Sequence, residues 1–230
     1  MKTKLFHFVF FIILVNCAEA IDYSEEHIDQ TSGRYLYHQD DIIDVYYENN
    51  KLFLKWRGAE KIKPVAFDEN VFFVADMYTK LRFLKHPETN KQYIGIVSKV
   101  DEDSISYDYV KVADDFKTPS MHLKDKDYKN ALEGFSAIKE KDSTSNLVDE
   151  WTFNRMGYDF LRDRNYEDAI EVFKMNVALY PKSSNVYDSL ADAYLRSGDS
   201  IQALNNYKKA LELNNDNKRA KEYVNAYNSK

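Results

Sequence analysis

A serine and a lysine stand one helical turn apart, at Ser136 and Lys139. In the spacing Ser-x-x-Lys, the turn of a helix brings an amine beside a hydroxyl, which it can activate as a nucleophile. Such chemistry needs further sequence motifs, for which the only candidates are residues 196–198 and 223–225. These candidates stand in the wrong order and lie inside helical patterns. The sequence therefore predicts no catalytic residue, and we interpret Ser136 and Lys139 as solvated.

Metal and cofactor chemistry has little support in the residue pattern. The histidines after residue 20 are not spaced as metal ligands, and the only cysteine is Cys17. These histidines are His27, His38, His86 and His122. Acidic runs at 101–103 and 125–127 lack the glycine and terminal glutamate of a calcium loop. We predict no metal and no cofactor, since a phosphate-binding glycine loop is missing as well.

Composition and charge narrow the class of protein. The 230 residues suit one or two domains. With 44% hydrophobic residues, 6 Gly and 4 Pro, the chain is neither disordered nor collagen-like. A net charge of −6 disfavours nucleic acid, because phosphate neutralisation needs a basic surface.

The N-terminus has the pattern of a secretory signal peptide. A basic head, Met1–Lys4, precedes an apolar run over Leu5–Val15 and the small-x-small sequence Ala18-Glu19-Ala20. We expect cleavage after Ala20 and export to the periplasm or the medium. Lipidation at Cys17 is the alternative. Lipoprotein signals usually have Gly, Ala or Ser directly before the cysteine, and Asn16 departs from that pattern. No later stretch is long and apolar enough to span a membrane.

Residues 21–117 predict an antiparallel β domain. Short apolar runs alternate between turn-prone clusters, as in Leu52–Trp56, Lys80–Phe83 and Ser104–Tyr109, and Asn49-Asn50 predicts a hairpin turn. The regular spacing favours a sheet that is closed or nearly closed. The predicted fold class is α+β with segregated halves, a small barrel-like β domain followed by a short helical solenoid.

The second half repeats with a period of 34 residues. Ala169 and Ala203 are 34 apart, and so are Phe173 and Tyr207. Each unit predicts two amphipathic helices, the second capped by Asn165 or Asp199. Gly198 is expected to end a helix, and Pro181 cannot continue one.

This pattern resembles the tetratricopeptide repeat family. The units are 150–183 and 184–217, preceded by a partial repeat at 118–149 and followed by a cap helix at 218–230. The small residues that the family requires at helix contacts correspond to Gly157, Ala169, Ala191, Ala203 and Ala210, with Asn176 as a departure. The resemblance implies a short solenoid whose first helices line a concave groove.

The whole arrangement also resembles the C-terminal accessory region of bacterial penicillin-binding-protein-like serine hydrolases. In those proteins a small β domain precedes a helical repeat tail. Phrases such as Gly33-Arg34-Tyr35 and Tyr180-Pro181 carry this likeness. The catalytic domain is missing, which implies a separate hydrolase as a partner.

Carried over position by position, the family's groove gives eight residues. They are Trp151, Asn154, Tyr158 and Arg162 in the first unit and Asn185, Asp188, Asp192 and Arg196 in the second. Trp151 is the most informative, because Trp and Arg are enriched at binding hot spots. Asp188 and Asp192 depart from the basic groove that binds a C-terminal carboxylate, so we expect a basic or neutral peptide.

Three functions remain open. The first is a non-catalytic exported interaction module that binds a protein or peptide through the groove. The second is an accessory subunit of a separate serine hydrolase. The third is a cell-envelope carbohydrate binder that uses Tyr46, Tyr47 or Trp56 as a stacking platform.

Overall fold

The computed structural model describes residues 21–229. The predicted signal peptide, including Cys17, lies outside the described residues, as does Lys230. The described part is mixed α+β, with a curled antiparallel sheet of nine strands and eight α-helices. Its contacts divide it into two units. The first contains 44–107 and the described part of Met1–Ser32, and the second contains Gly33–Ile43 and the described part of Asp108–Lys230.

The first unit is built mainly of strands. Its elements are α1 (Glu25–Thr31), most of β2 (Asp41–Glu48), β3 (Lys51–Trp56), β4 (Ala59–Ile62), β5 (Val65–Ala66), β6 (Val71–Val74), β7 (Thr79–Lys85) and β8 (Gln92–Ile96). Strands β5 to β8 pair antiparallel in chain order. Phe72 opposes Leu81, and Leu81 in turn opposes Ile96.

The alternating pattern predicted much of this unit. Leu81 and Phe83 of β7 are buried, as the period of two requires, whereas in β3 Phe53 is buried together with Leu52 and Leu54. Asn49 and Asn50 form the predicted hairpin turn between β2 and β3, with φ values of 49° and 57°. Asparagine tolerates this left-handed backbone, which suits a tight hairpin.

The predicted strand at Ser104–Tyr109 is wrong over most of its length. Strand β9 begins only at Tyr109, and Ile105 is 66% exposed. Residues 104–108 instead lie against β8, where a Cβ added to Gly95 would be 2.2 Å from the Ser106 carbonyl oxygen. Ser106 Oγ donates a hydrogen bond to the Ile96 carbonyl at 3.0 Å. Residues 104–108 thus approach the backbone of β8 closely without forming a regular strand. An alternating sequence pattern cannot distinguish such a segment from a paired strand.

The second unit holds two strands and seven helices among its described residues. The strands are β1 (Gly33–Tyr37) and β9 (Tyr109–Val112), which pair antiparallel. The helices are α2 (Pro119–Lys124), α3 (Tyr128–Lys141), α4 (Glu150–Arg162), α5 (Tyr166–Leu179), α6 (Ser184–Ser197), α7 (Ser200–Leu213) and α8 (Lys218–Asn228). The sequence predicts borders after residues 117, 149, 183 and 217, between the β domain, the partial repeat, the two repeats and the cap helix. These borders stay predictions.

The helix pairs follow the 34-residue period. Helices α4 and α5 lie within 150–183, and α6 and α7 lie within 184–217. Ala169 and Ala203 are fully buried. Gly157 is packed so closely that an added Cβ would lie 2.5 Å from ring atoms of Phe173. The small residues therefore stand where helices cross closely, as the repeat pattern predicted.

Caps fix the ends of these helices. Asp199 accepts a hydrogen bond from the Gln202 backbone N–H at 3.0 Å, and Gly198 ends α6 with a φ of 93°. Asn165 precedes α5 as predicted, but its amide donates to Asp168 instead of its side chain capping the helix. Asn176, the polar departure, is fully buried and donates to the Glu150 carbonyl at 3.1 Å.

No helix within residues 21–229 is both long enough and apolar enough to cross a membrane.

Candidate partner-binding surface

The predicted groove residues lie on α4 and α6. Within each helix their spacing is three or four, which places them along one face. Residues 34 apart occupy equivalent positions in successive repeats, so Trp151 corresponds to Asn185. One further step of 34 reaches Arg219 in α8. We call these nine residues, from Trp151 to Arg196 and with Arg219 added, the α4–α6–α8 face.

Arg219 organises the centre of this face. Its Nε donates to Asp188 Oδ2 at 2.9 Å, and its Nη2 donates to the Tyr158 hydroxyl at 2.9 Å. Its Nη1 lies 3.3 Å from Asp192 Oδ2. One guanidinium thus joins three helices by charge-assisted and neutral hydrogen bonds.

A second arginine extends the network along α6. Arg196 Nε donates to Asp192 Oδ1 at 3.1 Å. Both carboxylates are buried, with Asp188 7% and Asp192 6% exposed. The arginine side chains are 52% exposed for Arg196 and 43% for Arg219. The half-exposed arginine side chains therefore lie over a buried pair of carboxylates.

The arginine pKa values reflect this arrangement. Burial alone would lower the pKa of Arg219, but the hydrogen bonds to Asp188 and Tyr158 outweigh it and raise that pKa above its ordinary value. The hydrogen bond to Asp192 is the main cause that raises the pKa of Arg196. Both arginines stay charged, and their positions are fixed by their partners.

The observed role of Asp188 and Asp192 differs from the predicted one. The sequence suggested that Asp188 and Asp192 present negative charge to a peptide, whereas each pairs with an arginine of the same face. Three acceptors of the face still lack a hydrogen bond within the described residues, namely Asn154 Oδ1, Asp188 Oδ1 and Asp192 Oδ2. The expectation of a basic or neutral peptide therefore stays a prediction, since the two aspartates are paired within the face but keep free acceptor oxygens.

Trp151 is the exposed apolar element of the face. Its side chain is 69% exposed near the start of α4. Behind it, the Glu150 carboxylate accepts hydrogen bonds from Ser183 Oγ and Asn185 Nδ2, both at 3.0 Å. Asn185 is thus a helix tie, and the first turn of α4 that carries Trp151 is held against α6.

The structure brings four of the eight predicted residues into one network, whereas Trp151, Asn154, Asn185 and Arg162 lie outside it. Tyr158, Asp188, Asp192 and Arg196 meet around Arg219. Arg162 instead pairs with Asp159 of its own helix at 2.9 Å and is 71% exposed. Arg219 was missed, although the 34-residue step from Asn185 could have found it.

A second polar cluster surrounds Asp168 in α5, which is 6% exposed. Lys126 Nζ donates to it at 2.5 Å and the Tyr128 hydroxyl at 2.6 Å, and the Asn165 amide donates as well. Burial alone would raise the pKa of Asp168, but these donors outweigh it and hold the pKa below its usual range. We interpret this cluster as a tie between the partial repeat and the next one.

The residues considered for chemistry have structural contacts. Lys139 Nζ lies 3.1 Å from the ring centroid of Tyr180, and burial lowers the pKa of Lys139. Ser136 and Lys139 are both half-buried, so the interpretation of the two as solvated is wrong in part. His122 Nδ1 lies 2.9 Å from Asp127 Oδ2. Across residues 21–229, no group of three His, Cys, Asp or Glu side chains could hold a metal ion.

The proposed sugar platform is also engaged internally. The Tyr47 hydroxyl shares a hydrogen bond of 2.8 Å with Thr31 Oγ1, and its ring packs edge-on against Tyr23. The Tyr46 hydroxyl donates to the Glu60 carbonyl at 2.9 Å. The Arg57 guanidinium lies 4.7 Å from the Trp56 ring centroid.

Comparisons with known proteins cover less than half of the chain. No protein-family model matches the chain. The chain is 36% identical over 97 residues to Heat shock protein STI1 of Saccharomyces cerevisiae, which covers 42% of this chain and 16% of that protein. It is 30% identical over 96 residues to Superkiller complex protein 3 of Mus musculus, which covers 42% of this chain and 6% of that protein. The chain thus spans less than a fifth of these relatives.

Among solved structures, the first TPR of Spaghetti (RPAP3), bound to the HSP90 peptide SRMEEVD, is similar with a TM-score of 0.34 and 16% identity. That match covers 48% of this chain and 85% of the other. The 34-residue helix pairs, together with the sequence matches, support a tetratricopeptide-like fold for the helical half. The resemblance to the accessory region of serine hydrolases stays a prediction.

Proposed function

We propose that this chain is a non-catalytic, exported interaction module whose α4–α6–α8 face binds a segment of a partner protein. The observation that carries the proposal is the 69% exposure of Trp151 on the same helix face as an ordered arginine network. A single exposed apolar side chain is ordinary on a protein surface, so the proposal depends on the place of Trp151 on the same helix face as the ordered arginines. Trp, Tyr and Arg are also the residue types that dominate binding energy at interfaces.

The network supplies the polar half of the proposed recognition. Because Asp188 and Asp192 hold Arg219 and Arg196 in place, these arginines would lose little conformational freedom when a partner binds. The two arginine side chains are about half exposed, and an N–H group that their aspartate and tyrosine partners leave free can donate to a carbonyl or carboxylate. The partner segment is therefore expected to combine an apolar side chain, placed over Trp151, with hydrogen-bond acceptors at the arginines.

Export is the second part of the proposal. It is supported by the basic head, the apolar run and Ala18-Glu19-Ala20. Intact-mass analysis of protein purified from its native host should give a chain that starts at Ile21. A mass that includes a lipidated Cys17 would contradict this and would place the protein on a membrane surface.

The interaction can be tested by affinity capture from the envelope fraction of the native host. The bait is the full chain, in the wild-type form and as Trp151→Ala. Ile201→Ala is the control, because Ile201 is an apolar residue on α7 with a similar exposure of 66%. A partner of the face should be retained by wild type and control and lost from Trp151→Ala.

The same capture separates the alternative functions. A co-purified serine hydrolase that is retained by Trp151→Ala would favour the role of an accessory subunit, with contacts elsewhere on the chain. Equal capture of all proteins by the three baits would contradict binding through the α4–α6–α8 face.

A further inference from the structure

The first unit contains a cavity that is separate from the proposed function. It has a volume of about 440 Å³ and lies between β6, β7 and the loop after β8. The residues that matter here are Phe73, Tyr78, Lys80, Ser98, Lys99 and Glu102. Ligand pockets commonly measure about 300–1,000 Å³, so one or two sugar-sized rings fit. We call it the β6–β8 cavity.

Tyr78 forms an open aromatic wall of this cavity. Its side chain is 74% exposed, and its ring meets Phe73 edge-on at a centroid distance of 6.0 Å. The backbone of Tyr78 is left-handed, with φ 50° and ψ 40°. Glycine or asparagine fits this conformation best, and a bulky side chain there is uncommon. An exposed ring at such a position does little for packing, and its solvent-facing surface can serve for stacking.

The polar wall is held in a fixed shape. Lys80 Nζ pairs with Glu102 Oε1 at 2.7 Å, and the Glu102 carbonyl accepts from Arg82 Nη2 at 2.9 Å. Ser98 Oγ accepts from the backbone N–H groups of Val100 and Asp101, both at 3.2 Å. The loop that carries Glu102 is thus tied at both ends.

Lys99 adds a cation that its surroundings hold only weakly. Its Nζ lies 4.6 Å from the ring centroid of Tyr78. Such a contact at an exposed site is weak, so the ammonium can turn toward an anion at small cost. With Lys80 neutralised by Glu102, the cavity carries one net positive charge.

We propose that the β6–β8 cavity binds a sugar ring that carries a carboxylate. The C–H face of the ring stacks on Tyr78, and the carboxylate meets Lys99. Neighbouring hydroxyl groups, each both donor and acceptor, match the paired Lys80 ammonium and Glu102 carboxylate. A neutral sugar would leave Lys99 without an anion, and a cationic ligand would be repelled by it.

Calorimetric titration with trigalacturonate, and with maltotriose as the neutral counterpart, tests this site. Trigalacturonate should bind about tenfold more tightly than maltotriose. Tyr78→Asn should weaken that binding by about tenfold while the melting temperature stays equal or rises, since asparagine suits the left-handed backbone. Tyr78→Phe retains the ring and should bind like wild type.

The charge is tested separately. Lys99→Gln should remove the preference for trigalacturonate over maltotriose. Lys91→Gln, an equal change of charge at an exposed position of the same unit, should leave it intact. The proposal is overturned if trigalacturonate does not bind, if Tyr78→Asn binds it as well as wild type, or if Lys99→Gln keeps the full preference.

Discussion

Arg219 in α8 donates through Nε to Asp188 Oδ2 in α6 at 2.9 Å, across 31 residues of chain. The contact makes the cap helix a part of the candidate binding face. It also turns Asp188 from a surface charge into a buried support, 7% exposed. Buried carboxylates require such partners, because an ion loses its hydration when it leaves water.

Removal of Arg219 should destabilise the helical half. Arg219→Ala leaves Asp188 and Asp192 buried without their shared cation. Breaking a fully buried pair costs about 3–5 kcal/mol, but the Arg219 side chain is 43% exposed and solvent screens part of this. We expect a loss of about 1–3 kcal/mol in the free energy of unfolding, measured by urea titration.

Arg162→Ala is the control for that experiment. Arg162 is 71% exposed and pairs only within α4, so its loss should cost at most about 0.5 kcal/mol. In the Arg219→Ala background, Asp188→Asn should recover stability, since it removes a stranded charge. Equal stability of Arg219→Ala and Arg162→Ala would show that the network contributes nothing.

A methyl group at Gly157 should destabilise α4. In an open helix, Gly→Ala gains about 0.5–1 kcal/mol. Here the new Cβ would lie 2.5 Å from ring atoms of the fully buried Phe173, and overpacking costs about 1–3 kcal/mol. The clash should win, with a net loss of about 1 kcal/mol in thermal or urea unfolding.

A double-mutant cycle identifies the cause of that loss. Phe173→Leu removes the ring that the new methyl group meets. Gly157→Ala should therefore cost less in the Phe173→Leu background than in wild type. If it stabilises the wild-type protein, the close helix contact is absent.

The repeat pattern made much of the helical half predictable from sequence, because each structural position occurs in both repeats and the two residues can be compared. Ala169 and Ala203 share one role, and both are fully buried. Contacts that occur only once carry no such signal. The tie from Lys126 to Asp168 spans 42 residues, and its spacing does not follow the 34-residue period. The strand prediction for residues 104–108 was wrong for a similar reason. The position of this segment depends on its close contact with Gly95, which the alternation within 104–108 does not reveal.

The sequence predicted which residues share one helix face, but not the contacts among them. The register placed Tyr158, Asp188, Asp192 and Arg196 on one face, where the structure brings them together. The register did not show that Asp188 and Asp192 are buried, because their burial depends on Arg219. Arg219 lies in α8, which the sequence analysis interpreted only as a cap helix. Extending the period into α8 would have supplied the missing cation.

The stability of the first unit should fall in mild acid because of His27. Its ring stacks on Tyr23 at 5.3 Å and meets Phe83 edge-on at 5.9 Å. Burial lowers the pKa of His27, and the nearby Glu69 opposes this only in part. The unfolded chain therefore binds the proton more readily, near pH 6.5. Stability is complete above that pH and declines as the pH falls through it.

Melting curves between neutral and mildly acidic pH check this prediction. His27→Phe should melt with a smaller dependence on pH across this range. His38→Asn is the control, because asparagine suits the left-handed backbone at His38, where φ is 53°. An unchanged pH dependence in His27→Phe would assign the acid sensitivity to other groups.

The central claim is that the α4–α6–α8 face is a binding surface and not a packing surface. Its most direct test is the affinity of the captured partner for Trp151→Ala, with a melting curve of the same variant. We expect a loss of about 1–2 kcal/mol in binding, with a melting temperature close to wild type because Trp151 is 69% exposed. Ala203→Leu, at a fully buried position, should instead melt well below wild type. Unchanged affinity, or melting of Trp151→Ala as low as that of Ala203→Leu, would contradict the account.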